Sequence, residues 1–323
     1  MVVLFVPLSV CEALVDVGQV LQRVEEVFRW EAEGSVHHAE PGALRMTHDD
    51  PPAKFHSKAV LLPELGVAGF RVVGYRIRAD GSGPSSPDST RLVVLVDLAT
   101  GSPLAIVDEH HNYTMRTAAS VGVAMRYLAP GRPVLGLVGA GGVAHAVARV
   151  FLAILPLEQI LITSRRAQSR QRLVDTVRGW TDVPVSAVAD VDSLADHANL
   201  VVTATTVRHP LLGTRAVRPG TTLCALGSFE FPLSVYRTVD KLVVDDWSQT
   251  RAAHDVRPWV ESGALAEEHL HAELAGIVAG TRPGRESAHE TILVRTEGMV
   301  SQDVALAHWV YQEADRKGLG IKL

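Results

Sequence analysis

Residues 134–145 read Val134-Leu135-Gly136-Leu137-Val138-Gly139-Ala140-Gly141-Gly142-Val143-Ala144-His145, an apolar run that ends in G-x-G-x-x-A. In a strand-turn-helix unit each small residue has a task. Gly139 allows the tight turn, Gly141 lets the backbone approach a pyrophosphate, and Ala144 permits close packing of helix on strand. The helix N-terminus then meets the phosphate charge with N–H groups that have no partner in the helix. Glycines also serve as plain turn residues, so the surroundings decide. Further apolar strand candidates lie at 159–163, 185–188, 200–203, 222–226 and 242–245, separated by mostly helical segments. Six such strands predict an α/β fold, a doubly wound Rossmann dinucleotide-binding domain.

The end of the second strand selects the cofactor. NAD sites place a carboxylate there for the ribose hydroxyls, whereas NADP sites place cations and small polar groups for the 2′-phosphate. Here the turn reads Thr163-Ser164-Arg165-Arg166, with no acid and two planar forks able to grip a phosphate. The expected cofactor is NADP(H).

Upstream the rhythm differs. Ser9 and Glu12 have the spacing of a capping box, and Leu14, Val17, Leu21, Val24 and Phe28 recur at helical intervals, which predicts one amphipathic helix. Segments 92–96 and 104–107 predict a hairpin across the turn at 97–102. The Gly/Ser/Pro-rich stretch 80–90, DGSGPSSPDST, predicts a loop within this part. A strand at 292–295 and a helix from about 302 to 316 close the chain. The expected organisation is an α+β substrate-binding and dimerisation domain at 1–118, to which 296–323 returns, and a Rossmann NADP-binding domain at 119–295.

With 323 residues the chain is long enough for two cores. A net charge of −5, and no run of Lys or Arg, argue against nucleic acid. Cys11 and Cys224 both stand in apolar stretches and allow no disulfide framework. The apolar start, MVVLFVPLSV, lacks a basic flank and a cleavage site, and no apolar run reaches 18 residues. A soluble, cytoplasmic protein with no membrane partner is expected. The His37-His38 and His110-His111 pairs have no ligand spacing, so no metal is assigned; the second pair is left open as proton donor or structural.

Residues 108–120, DEHHNYTMRTAAS, resemble the signature of the ornithine cyclodeaminase/mu-crystallin family. So do LPELG at 62–66, Thr203-Ala204-Thr205, Gly227-Ser228, Val244-Asp245 and EGMVSQD at 297–303, in order and spacing. The resemblance implies a cationic clamp for a substrate α-carboxylate at Arg45, Arg71 and Arg116. Guanidinium forks suit that task on physical grounds alone. It also implies cofactor contacts from Thr117, Gly139, Ala140, Gly141, Gly142, Val143, Ser164, Arg165, Arg166, Thr203, Ala204, Thr205, Gly227 and Ser228.

Two departures bear on the chemistry. Arg71 stands where the family usually has Lys, and arginine is a poor proton donor, so Lys58 is carried as a candidate titratable amine. Cyclodeaminases resemble G-x-D-x-P after the fifth strand, but residues 227–232 read GSFEFP, with Phe229 at the aspartate position. Phe229, Glu230 and Gly298 are therefore expected on the substrate, with Phe229 favouring apolar bulk over a terminal ammonium. The implied function is NADPH-dependent reduction of a carbon-nitrogen double bond beside a carboxylate, as in a cyclic ketimine such as pyrroline-2-carboxylate. The alternatives are an amino-acid dehydrogenase or cyclodeaminase reaction, and a non-catalytic NADPH-dependent ligand binder like mu-crystallin. The resemblance also implies a homodimer through the first domain.

Overall fold

A computed structural model describes residues 2–77 and 89–323, and the chain divides into two compact units, residues 1–116 with 299–323, and residues 117–298. Unit 1 begins β1 (Leu4–Val6), α1 (Leu8–Leu14), α2 (Val17–Glu33), β2 (His37–His38), β3 (Leu44–Asp49), β4 (Pro52–Leu62), β5 (Val67–Arg76), β6 (Thr90–Asp97) and β7 (Pro103–Asp108). Helix α3 (His110–Leu128) carries the chain into unit 2. There follow β8 (Val134–Val138), α4 (Gly142–Ile154), β9 (Gln159–Thr163), α5 (Ala167–Arg178), β10 (Val185–Ala187), α6 (Val191–His197), β11 (Leu200–Thr203) and β12 (Thr222–Ala225). Unit 2 ends with α7 (Leu233–Thr238), β13 (Lys241–Val244), α8 (Trp247–Ala252), α9 (Arg257–Glu261), β14 (Leu270–Glu273), α10 (Leu274–Val278) and β15 (Ile292–Arg295); α11 (Val300–Arg316) and β16 (Ile321–Lys322) return to unit 1.

In unit 2 the strands run β10-β9-β8-β11-β12-β15-β13-β14, every pair parallel. The order turns back on itself between β8 and β11, the switch point beside which α/β sheets bind ligands. Strand β15 inserts between β12 and β13, and β14, which has no period-2 signal, adds an edge. The strands are buried almost throughout, as the two-sided cover of a parallel sheet requires.

In unit 1 a single sheet runs β16-β1-β7-β6-β5-β4-β2, with β3 also on β4. The predicted hairpin is present as β6 and β7, with Leu95 opposite Ala105 and a bulge after it. Asp97 closes its turn by accepting from the Thr100 N–H. Strands β3, β4 and β5 form a long meander whose direct partners include Arg45 with His56, His56 with Val73, and Lys58 with Arg71. Partners in an antiparallel ladder project to the same face. That face also carries Gly69, where an added Cβ would lie 2.2 Å from the Val304 side chain, so α11 seats against it there. The opposite face presents Leu44, Met46, Phe55, Phe70 and Val72, all exposed.

The N-terminal helix departs from expectation. It is two helices, broken where Val15 is extended at φ −80°, ψ 113°. Pro7 is the N-cap of the first, which puts Ser9 inside the helix and removes the capping box. Asp16 caps the second by accepting from the Gln19 N–H at 2.9 Å. Val20, Leu21, Val24, Val27 and Phe28 then form its buried stripe, each stabilising by ~1.5–3 kcal/mol. The expected loop at 80–90 falls mostly outside the described residues, and Thr90 already opens β6. Among the described residues no helix is long and apolar enough to cross a membrane.

Candidate active site

In unit 1 the ladder registers set Arg45, Lys58 and Arg71 on one sheet face, and Arg91, paired with Val73, joins them. Helix α3 adds a stripe at i, i+4 and i+7. Glu109 lies just before its first turn, followed by Tyr113 and Arg116. Arg71 and Arg116 are 6% and 4% exposed, so neither is a solvated surface charge. Arg71 donates through Nε to Glu109 Oε1 at 2.5 Å and lies 3.3 Å from Asp303 Oδ2. Arg116 donates through Nε to Asp303 Oδ1. In both residues Nε meets the acid, and the terminal Nη edge is a second pair of donors suited to a carboxylate. The Tyr113 ring sits among three guanidinium groups, 5.5 Å from Arg71, 4.4 Å from Arg91 and 5.1 Å from Arg116.

The protons in this cluster are uneven. Burial alone would pull the Arg71 pKa down, but Asp303 and Glu109 outweigh it and push it up. Burial raises both carboxyls; at Asp303 the Arg116 and Arg71 charges reverse the effect, and it falls below its ordinary value. At Glu109 burial, reinforced by the Asp303 charge, prevails over Arg71, and the carboxyl is pushed up to about 8. Two close carboxyls therefore hold one proton, and Glu109 holds it. His56, on the same face, is pulled down to about 4 by burial and by the Arg71, Lys58, Arg91 and Arg45 charges, and is neutral near pH 7.

In unit 2 the loops at the carboxyl ends of β8, β11 and β12 form a cradle. Gly139 has φ 121°, and a Cβ there would stand 2.4 Å from the Ala204 carbonyl oxygen, so only glycine fits. At Gly141, the N-cap of α4, a Cβ would meet nothing within 4 Å, which leaves room for a phosphate at the helix start. Ala140 is half-buried, Gly142 exposed and Val143 half-buried around that turn, and Ala144 is buried under it. Ser164 donates to the Arg166 carbonyl at 3.1 Å, and Arg165 and Arg166 are exposed at the turn after β9. These residues fit a dinucleotide.

Glu230 is placed otherwise than expected. It is fully buried, accepting from Thr203 Oγ1 at 2.7 Å, from both Thr205 N and Oγ1 at 2.8 Å, and from Gly227 N at 2.8 Å. Its oxygens are committed to holding the 203–205 and 227–228 loops together, and the substrate contact anticipated from the sequence is not its place. Phe229 adopts φ 65°, the left-handed region that a phenylalanine rarely enters. Its N–H donates to Asp255 at 2.7 Å, Asp255 is bound by both terminal nitrogens of the buried Arg295 at 2.9 Å, and the ring meets His254 edge-on at 4.8 Å. Gly298, at φ 83°, donates its N–H to Asp245 at 2.7 Å. Ser228 is half-buried and Thr117 buried.

Of the anticipated clamp, Arg71 and Arg116 share Asp303 and Tyr113, whereas Arg45 is exposed and Lys58 half-buried on the neighbouring strands. Glu109, Tyr113, Asp303, Arg91 and His56 were not singled out from sequence. The first two were findable, because 109, 113 and 116 share a helical face. His110 is bound to Asp108 at 3.1 Å and to Ser89 at 3.2 Å.

A switch-point cradle in one unit and a buried arginine pair in the other define a two-unit dinucleotide-binding oxidoreductase scaffold. The family model for the ornithine cyclodeaminase/mu-crystallin family matches residues 4–318, and the chain belongs to that family. Alanine dehydrogenase of Archaeoglobus fulgidus is 27% identical, over 97% of this chain and 95% of its own. A delta(1)-pyrroline-2-carboxylate reductase of Bacillus cereus is 26% identical over 72% of this chain and 73% of its own. Iminosuccinate reductase of Paracoccus denitrificans is 31% identical over 70% and 71%. The crystal structure of that reductase in complex with NAD+ superposes with a TM-score of 0.89 at 25% identity, covering 100% of this chain and 99% of that one.

Proposed function

We propose that this protein reduces a carbon-nitrogen double bond beside a carboxylate with a nicotinamide dinucleotide, NADPH by preference. The observation that carries the reading is the convergence of Arg71 and Arg116 on Asp303, which fixes two buried forks in one place. A substrate carboxylate bound there has its α-carbon aimed by geometry, and positioning of this kind supplies much of the rate. Gly139, Gly141 and the start of α4 would hold the pyrophosphate. Ser164, Arg165 and Arg166 would hold the 2′-phosphate, which is the reason for choosing NADPH although the Paracoccus relative binds NAD+. When bound, the reduced cofactor supplies the hydride. Run in reverse, the same site is an amino-acid dehydrogenase.

The favoured substrate is a cyclic ketimine carboxylate such as pyrroline-2-carboxylate, with Phe229 as an apolar neighbour in place of an ammonium-binding acid. A second reading rests on charge. Arg45, Lys58 and Arg91 lie on the same sheet face as Arg71, more cations than one carboxylate needs, which favours an imine with two acid groups. The exposed apolar face of the unit 1 sheet is taken as the contact of a homodimer.

The test follows NADPH oxidation by absorbance with pyrroline-2-carboxylate, piperideine-2-carboxylate, iminosuccinate, and 2-oxo acids with amines, using NADH as control. Saturable oxidation with a cyclic ketimine, faster with NADPH than NADH, is expected. In Arg116→Lys and Arg116→Ala it falls about 100-fold or more, roughly 3 kcal/mol of lost transition-state binding. Faster turnover of iminosuccinate favours the two-acid substrate. Silence across the panel, with tight NADPH binding, makes the protein a ligand binder.

A further inference from the structure

Reducing a carbon-nitrogen double bond takes a hydride at carbon and a proton at nitrogen, and the clamp cannot give the proton. Arg71 and Arg116 do not deprotonate in proteins. Asp303 is ionised between them, and His56 is neutral. Among the carboxyls of the cluster Glu109 is the one that keeps a proton, and unlike Lys58, half-buried on the neighbouring strand, it touches Arg71 directly. It is 1% exposed, Oε1 accepts from Arg71, Oε2 meets no donor, and the carboxyl hydrogen-bonds to the Asp303 carboxylate, which supplies the acceptor that an O–H needs. An anionic oxygen buried without a donor costs several kcal/mol, whereas an O–H there needs only an acceptor. The charged groups against it are Arg71 from β5 and Asp303 from α11; Arg116 of α3 pairs with the same Asp303, and Arg91 of β6 stands over the Tyr113 ring.

We propose that Glu109 is the catalytic acid, and that the substrate nitrogen takes its proton from Oε2. The assignment rests on the reductase reading above. In the step the Oε2–H bond breaks and an N–H bond forms. A bound reduced nicotinamide would supply the hydride for the new C–H bond at the α-carbon, and the C=N π pair would become the nitrogen lone pair. Glu109 is left as a carboxylate against Arg71 and recovers its proton from solvent. An arginine in place of lysine at 71 and an acid at 109 are then one exchange: the fixed charge binds, and the neighbour carries the proton.

The pH dependence of kcat/KM with NADPH and pyrroline-2-carboxylate tests this in the wild type, Glu109→Gln, Glu109→Asp and the double variant Glu109→Gln/Arg71→Lys. The raised carboxyl is protonated below about 8, so wild-type activity falls tenfold per pH unit above it. Glu109→Gln is expected to lose about 100-fold and that limb, Glu109→Asp to keep the limb, and the lysine to recover at least tenfold. NADPH affinity within twofold of wild type shows that each variant is folded. A Glu109→Gln protein within threefold of wild type, or one keeping the limb near 8, overturns the assignment alone. A wild type inert to the whole panel overturns the reductase reading and the assignment with it.

Discussion

At the scale of single residues, Glu230 ties loops that lie 25 and 27 positions upstream, at Thr205 and Thr203, to the turn at Gly227. Glutamine there would turn one acceptor into a donor facing donors. Glu230→Gln is expected to lose about 2–4 kcal/mol of unfolding free energy in urea titrations and to raise the NADPH dissociation constant at least tenfold. An unchanged affinity would remove the 203–205 and 227–228 loops from the proposed cofactor site. Glu230 was not legible in this role, because its partners are set by the fold and not by spacing. The Gly139 and Gly141 turn was legible, since its constraint is local: one φ value and one helix start. The Glu109, Tyr113 and Arg116 stripe stood between these cases. Its spacing was in the sequence, but Asp303, which joins it to Arg71, comes from a helix nearly two hundred residues on.

At the scale of elements, β5 and α11 meet through a missing side chain. Gly69→Ala drives a methyl into Val304 and is expected to destabilise by roughly 1–3 kcal/mol in thermal or urea unfolding. Gly69→Ala/Val304→Ala should recover part of the loss, which a purely backbone effect of the alanine would not allow. The parallel strands of unit 2 announced themselves as short apolar runs, because both faces are covered. The meander β3, β4 and β5 did not. It alternates polar and apolar residues, yet carries cations on one face and exposed Leu44, Met46, Phe55 and Phe70 on the other. Neither face reads as a simple core. Strand order also lies outside local reading: nothing near Ile292 tells that β15 inserts between β12 and β13.

At the scale of the molecule, a soluble protein leaves few large apolar side chains clustered in solvent. If the exposed face of the unit 1 sheet is a homodimer contact, Phe70→Glu halves the mass seen by light scattering and leaves the circular dichroism unchanged. A wild type that is already monomeric removes the interface. Glycine would occupy the left-handed conformation at 229 freely, whereas phenylalanine holds it at a cost of about 1 kcal/mol against the grip of Asp255 and Arg295. Durability therefore does not account for the aromatic ring; if Phe229 borders the substrate as proposed, position 229 is a place where discrimination between ligands and resistance to heat can be tuned apart.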